Sequence, residues 1–286
     1  MDASMHAATT RDDAQTALWN GPAGQAWVQA QPMLDAMFAP FSDLLVGHAQ
    51  SMSARSVIDV GCGTGATTLA LADVLGEGAR CLGVDVSAPM IVAARECAAA
   101  SGSAARFVCS DAAHHAFVPA GADLVVSRFG IMFFDDPVAA FAHLHNAVRA
   151  GGALSAIAWR GTAENLFMTA AERAAAPLLP ALKVRRPDAP GQFAFADRTY
   201  ISEVLERSGW KDVDIPPLDI ECTLPLADLE AYFTLLGPVG LALRQTDAAT
   251  RAKVIETLHE AFQPWVQGAY VHFTAACWRI DAGRLP

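Results

Sequence analysis

Three glycines at alternate positions, Gly61, Gly63 and Gly65, stand between the β-branched run Val57-Ile58-Asp59-Val60 and the Ala/Leu-rich segment Thr67 to Leu75. A short buried strand, a tight turn and a helix start are predicted there. Glycines in such a turn leave no Cβ between backbone and ligand. The helix that follows offers unpaired N–H groups to a negative group. The turn therefore reads as the holder of a nucleotide-like molecule. Gly61, Gly63 and Ala66 also satisfy G-x-G-x-x-G/A, which alone does not say which nucleotide is held.

The next predicted strand narrows the choice. Arg80 to Val86 carries Asp85 about 20 positions after the glycines, where a carboxylate takes both hydroxyls of a ribose. NAD enzymes share that device. Three features point elsewhere. Asp59 precedes the glycines where a dehydrogenase strand stays apolar, Ser87-Ala88-Pro89-Met90 runs straight from Asp85 into a helix, and Ser110-Asp111-Ala112 follows a third strand, Arg106 to Cys109.

Together, D-V-G-C-G-T-G from Asp59, G-V-D-V-S-A-P-M from Gly83 and S-D-A from Ser110 resemble the class I S-adenosylmethionine-dependent methyltransferases, from about Val57 to Trp159. Trp19 to Gly24, Ser127 to Phe134 and Gln192 to Asp197 look like a bacterial small-molecule subgroup near the quinone-biosynthesis methyltransferases. One departure is Arg149-Ala150-Gly151-Gly152, where that family carries Pro-Gly-Gly. The resemblance implies an α/β, Rossmann-like, doubly wound sheet of seven strands with an antiparallel last strand. It also implies S-adenosylmethionine as cofactor, S-adenosylhomocysteine as product and a small-molecule acceptor methylated at O, N or C. The rival readings are an NAD(P)-dependent dehydrogenase and a cofactor-binding partner with no catalysis of its own.

Composition is compatible with this. The chain has 286 residues, 53% of them hydrophobic and 17% charged, enough for one large core and too apolar for a disordered protein. A net charge of −10 argues against nucleic acid, which demands clustered Lys and Arg. Lys183-Val184-Arg185-Arg186 is locally basic and reads as a solvated loop. No apolar run is long enough to span a membrane, and six scattered cysteines without C-x-x-C spacing fit reduced thiols, so a cytoplasmic protein is expected.

Strands are predicted near 56–60, 80–86, 106–109, 122–127 and 153–159, and helices near 66–76, 88–101 and 137–149. Their alternation implies a parallel sheet covered on both faces, with ligands at the carboxyl ends of its strands. Residues 1 to about 14 read as a tail, and Gln15 to Gln50 as helix broken at Asn20-Gly21-Pro22 and near Pro32 and Pro40. Residues 1–50 thus form a helical cap on a methyltransferase domain, 51–286. Lid insertions are expected near 161–196 (helix from Glu164 to Leu182) and 225–268 (two helices). Between them come a helix, Thr199 to Ser208, and a strand, Val213 to Cys222. A last strand covers Ala269 to Trp278.

By resemblance, Asp59 and the backbone of Gly61, Cys62, Gly63 and Gly65 meet the methionine end of the cofactor. Asp85 takes the ribose, Val86 and Met90 pack on the adenine, and Asp111 and Ala112 meet its amine edge. Ser127, Arg128 and Phe129 follow the fourth strand, facing donor and acceptor. Taken singly, each aspartate reads equally as a helix cap or turn residue. Arg128 either binds an acidic acceptor or anchors its loop in an ion pair, and His115 is either a base or a solvated turn residue. Trp19 and Trp27 either pack in the core or, as the resemblance implies, lie over the cofactor. Phe133, Phe134, Phe193 and Phe195 are candidates for an apolar acceptor wall, and no metal set is expected.

Overall fold

The computed structural model describes residues 11–182 and 190–285. The basic stretch Lys183 to Arg186 and residues 1–10 lie outside the described residues. Three helices open the chain, α1 (Arg11–Asn20), α2 (Pro22–Gln29) and α3 (Gln31–Ser51). The expected breaks at Gly21 and Pro32 are there, but α3 runs straight through Pro40. The tail expected to reach residue 14 gives way to helix at Arg11.

The alternating core follows as β1 (Ser56–Val60), α4 (Ala66–Leu75), β2 (Arg80–Asp85), α5 (Ala88–Ser101), β3 (Arg106–Cys109), β4 (Ala122–Arg128), α6 (Pro137–Ala147) and β5 (Val148–Trp159). Local chemistry sets the helix ends. Gly76 closes α4 in a positive-φ conformation, and Asp136 caps α6 by accepting from Ala139 N at 3.0 Å, with Pro137 in the first turn. That cap-to-strand transition is tight, so α6 stops two residues before its expected end and β5 begins five earlier.

The remainder is α7 (Leu166–Ala175), α8 (Arg198–Arg207), β6 (Lys211–Asp214), β7 (Pro217–Pro225), α9 (Leu229–Leu235), α10 (Gly237–Leu243), α11 (Ala248–Phe262), β8 (Val266–Gln267) and β9 (Tyr270–Gly283). Strand order is β3-β2-β1-β4-β5-β9-β6, with β7 and β8 also paired to β9. β1 to β5 are mutually parallel and β9 is antiparallel to β5. The doubly wound α/β sheet with its antiparallel last strand is as expected. The strand count is not: nine strands stand among the described residues in place of seven. One expected strand, 213–222, is split at Ile215-Pro216, because a proline has no N–H to give the ladder. Three helices, not two, lie between Pro225 and Trp265, and the helix expected over Glu164 to Leu182 is confined to α7.

Burial decides what belongs to the core. Leu34, Met37, Phe38, Phe41 and Leu45 of α3 are buried with Val57, Leu124, Val126 and Ile157 of the sheet in one cluster. α3 is therefore part of the domain body, and α1 and α2 lie beyond it, with α2 packed on α5, α9 and α10. No helix among the described residues is long and apolar enough to cross a membrane. The bent pair α9–α10 approaches that composition, yet it buries Leu229, Phe233, Val239 and Leu243 inside the protein.

Candidate active site

A cavity of about 750 Å³ lies at the carboxyl ends of β1, β2, β4 and β5. The β1–α4 turn forms its floor. Gly63 sits at φ +55°, and the space its missing Cβ would take opens between Met90 Sδ and Trp27 Nε1, each 3.7 Å away. Backbone is thus presented bare to the cavity. Gly61, Cys62 and Gly63 line it, but Gly65 does not. A Cβ on Gly65 would lie 2.8 Å from Phe107 Cζ and 2.9 Å from Ala94 Cβ. That third glycine serves the packing of α4 on the sheet rather than ligand contact.

Two carboxylates stand beside the turn in different states. Asp85 accepts from Ser87 N at 2.8 Å and Gly63 N at 2.9 Å, one bond to each oxygen. An ionised carboxylate has about four acceptor sites, so two remain for hydroxyls. Burial raises its pKa against the pull of these N–H groups. Asp59 is 1% exposed and takes the Thr68 hydroxyl at 2.6 Å. Burial raises its pKa to about 6, opposed by that hydrogen bond and by Arg128. A cation brought into the cavity at this point restores the charge.

Beyond the ends of β2 and β3, Val86, Met90, Asp111 and Ala112 all line the cavity. Asp111 accepts from Ala113 N at 2.8 Å and pairs with His114 Nδ1 at 2.7 Å, its side chain one-third exposed. The roof is aromatic. Trp19 meets Trp27 and Phe133 edge to face, with centroids 6.0 and 5.4 Å apart. Both tryptophans are half-buried and line the cavity, and Trp27 also packs against the main core cluster.

Asn20 was not singled out from the sequence, and it pins that roof. Its side chain donates to Val86 O at 2.9 Å and accepts from Ala88 N at 2.8 Å, while Ser87 Oγ donates to Trp19 O at 2.7 Å. α1 is thereby tied to the main chain immediately after Asp85. The signal was present in Trp19-Asn20-Gly21-Pro22, where an Asn beside a turn offers both a donor and an acceptor.

The residues after β4 divide in role. Phe129 lines the cavity at φ +67° and stacks on Trp159, centroids 4.4 Å apart and planes 9° from parallel. Ser127 is fully buried, donating to Val60 O at 2.7 Å and accepting from Gly130 N at 3.1 Å. It holds the β1 and β4 turns together and does not line the cavity, against expectation. Arg128 lines it, but its guanidinium donates to Ser42 Oγ at 3.0 Å and lies 3.8 Å from Asp35. That is the anchoring arrangement, joining β4 to α3. His115 is turned away: its ring packs edge-on against Phe117 at 4.7 Å, outside the cavity lining. A base at His115 is therefore abandoned.

The rest of the wall carries a set of large apolar side chains. Phe133 and Phe134 line it as expected, joined by Phe38, Trp159, Met168, Tyr232 and Phe233. Phe193 and Phe195 do not; Phe195 is buried beside Phe141 and Tyr200 instead. No group of three or more His, Cys, Asp or Glu with metal-site geometry occurs among the described residues.

The methyltransferase domain family matches residues 57–152, the segment that builds this floor. Residues 57–152 form a class I S-adenosylmethionine-dependent methyltransferase domain. Aklanonic acid methyltransferase DauC of a Streptomyces species is 28% identical over 136 residues, 46% of this chain and 62% of the relative. An uncharacterised protein of Mycobacterium tuberculosis is 27% identical over 60% of each chain. The chain thus spans about six-tenths of the length of the curated relatives it matches. Among solved structures, the YcgJ protein of Bacillus subtilis aligns with a TM-score of 0.55 at 16% identity, covering 86% of this chain and 98% of that one. The [4+2]-cyclase SpnF aligns with a TM-score of 0.56 at 14% identity, covering 92% and 95%. These likenesses show the fold alone, over most of the chain, and it is the family match over residues 57–152 that tells against the dehydrogenase alternative.

Proposed function

We propose that the protein transfers a methyl group from S-adenosylmethionine to O, N or C of a small apolar or aromatic molecule. The observation that carries this reading is the bare Gly63 turn facing Trp27 and Met90, with Asp59 and Asp85 on either side. When bound, the cofactor supplies a methyl on a sulfonium, a good leaving group that needs no acid. The protein's task is then alignment and exclusion of water.

Each residue has a role in that task. Asp85 takes the ribose hydroxyls on its free acceptor sites, and Asp59 meets the cationic amine. Gly61, Cys62 and Gly63 offer backbone to the methionine end. Val86, Met90 and Ala112 flank the adenine, and Asp111 accepts from its amine. Trp19, Trp27 and Phe133 close the site from above, and Phe129 and Trp159 wall it between donor and acceptor. Arg128 positions α3 and the β4 turn.

We read residues 11–29 as the part of the expected 1–50 cap that covers the site, with lids over 161–196 and 225–268. Nearness to the quinone-biosynthesis methyltransferases belongs to this proposal, supported by the Trp19, Ser127 and Gln192 segments. So does a cytoplasmic location, supported by six unpaired cysteines. The likeness to a cyclase makes turnover the deciding test. Purified protein is titrated with S-adenosylhomocysteine by calorimetry, then incubated with methyl-labelled donor and a panel of apolar phenols, amines and enols. Micromolar binding with label transferred to an acceptor is expected. Failure to bind overturns the site, and binding without transfer to any acceptor favours the non-catalytic alternative.

A further inference from the structure

A second cavity, about 620 Å³, opens on the surface between α2, the start of α5 and the α9–α11 helices. Arg244 and Arg251 line it together with Gln25, Gln29 and Thr234, and with Val28, Pro89 and Leu235. Among the described residues no carboxylate pairs with either guanidinium, as is also true of Arg55, Arg80, Arg95, Arg106, Arg173, Arg198, Arg207 and Arg284. What sets Arg244 and Arg251 apart is that both line one groove, in a chain with 30 acidic and 20 basic residues. Arg251 also stands in the first turn of α11, where the helix dipole disfavours a cation, and its Nη1 reaches Leu243 O at 3.4 Å. The side-chain amides of Gln25 and Gln29 add N–H donors for a carboxylate, sulfonate or phosphate, while the Thr234 hydroxyl is spent on Glu230 O at 2.7 Å.

The groove abuts the active-site chamber. Leu235 lines both. Inside the chamber the charge is of the opposite kind: Asp59, Asp85 and Asp136 line it together with the Asp111–His114 pair, and the guanidinium of Arg128 is already engaged by Asp35 and Ser42. An anionic substituent is repelled from the chamber and attracted to the groove, whereas an apolar body is favoured in the reverse sense.

We propose that the groove is an anion subsite for the acceptor, which has an apolar body in the chamber and a carboxylate or phosphate tail held by Arg244 and Arg251. The assignment rests on the methyltransferase reading for the word acceptor, but the two-part site is testable without it. Full-length protein loaded with S-adenosylhomocysteine is titrated by fluorescence with 1-anilinonaphthalene-8-sulfonate and with N-phenyl-1-naphthylamine, the same aromatic body without the anion. The sulfonate is expected to bind at least tenfold more tightly at low salt, with the preference shrinking as salt rises. Arg244→Gln with Arg251→Gln removes about tenfold of the sulfonate's affinity and leaves the amine probe, the melting temperature and S-adenosylhomocysteine binding unchanged.

Inorganic phosphate at millimolar concentration distinguishes a free anion from a tail. If the groove serves a free anion, phosphate binds by calorimetry, the double variant abolishes that binding, and the two dyes bind equally; that result overturns the proposal. Equal dye affinities, or a double variant that still prefers the sulfonate, overturn it as well. Failure of S-adenosylhomocysteine to bind the unaltered protein sinks the methyltransferase reading, and the dye comparison is then made on the unloaded protein with the same two outcomes.

Discussion

Consider an alanine at position 63. Its Cβ would stand 3.7 Å from Met90 Sδ and 3.7 Å from Trp27 Nε1, ordinary contact distances that the empty chamber accepts without movement. The cost to the fold is the left-handed backbone at φ +55°, about 1–2 kcal/mol. About 0.4–1 kcal/mol of that is offset by restricting the unfolded chain. A net loss near 1 kcal/mol lowers the melting temperature by roughly 2–4 °C in a domain of this size. Binding suffers far more, because the methyl fills the gap through which the cofactor touches the turn. A loss of 10- to 100-fold, about 1.4–2.8 kcal/mol, is expected for S-adenosylhomocysteine. Gly65→Ala is the control. Its Cβ would press on Phe107 and Ala94 at 2.8–2.9 Å, and such overpacking costs about 1–3 kcal/mol beyond the backbone cost. Gly65→Ala should therefore melt lower than Gly63→Ala yet bind the ligand more tightly. Melting curves and calorimetric titrations on the same preparations decide it, and the reverse order in either measurement refutes the division of roles within the turn.

Asp85→Asn should cut S-adenosylhomocysteine affinity at least tenfold, since each charge-assisted hydrogen bond to the ribose is worth about 1.5–3 kcal/mol; unchanged affinity by calorimetry would remove Asp85 from the site. Asp59 titrates near 6 in the folded protein against 3.8 in the unfolded chain, so the folded state holds its proton more tightly and stability falls as pH rises from about 4 to about 6. Asp59→Asn escapes this and should be the more stable protein above pH 6, by up to roughly 3 kcal/mol, with the advantage gone near pH 4 and the cofactor bound more weakly. Urea titrations across that range check it, and a constant difference would contradict the assignment. Asn20→Ala should leave the melting temperature within about 2 °C, since a partly exposed pair of bonds adds about 1 kcal/mol, while turnover and cofactor affinity fall together. A large drop in melting temperature with intact affinity would make Asn20 a purely structural tie.

How much of this was legible in the sequence depends on range. The floor was readable because Asp59, Gly63, Asp85 and Asp111 each sit at a strand end, and a strand end in an alternating pattern has only one place to go. Asp85 and Ser127 show the boundary of that logic. Both occupy such positions, yet Asp85 faces the chamber and Ser127 is spent bridging Val60 and Gly130. The difference lies in which way one rotamer points, and periodicity says nothing about that. Arg128 was left between two roles, and its settled one depends on Asp35 and Ser42, some 90 residues upstream. His115 sat near Asp111 in sequence, but the turn carries its ring onto Phe117. The acceptor wall from α9 and α10 was predicted only as lid, because helix–helix contact over such distances leaves no local mark.

β9 is the last strand in the chain and lies inside the sheet. It pairs with β5 across about 125 residues of intervening sequence on one edge and with β6, β7 and β8 on the other. Closing loops of that length is entropically slow relative to the local β–α pairs that build the floor. The floor and its aromatic cover therefore have their local partners early in synthesis, while the open edge of β5 waits, unpaired, for the end of the chain. Until then that edge is an exposed run of main-chain donors and acceptors, Ala153 to Trp159, available to any other extended segment. The interval between making β5 and making β9 is the period in which this protein is most exposed to misassembly, and it is set by the length of chain that separates them.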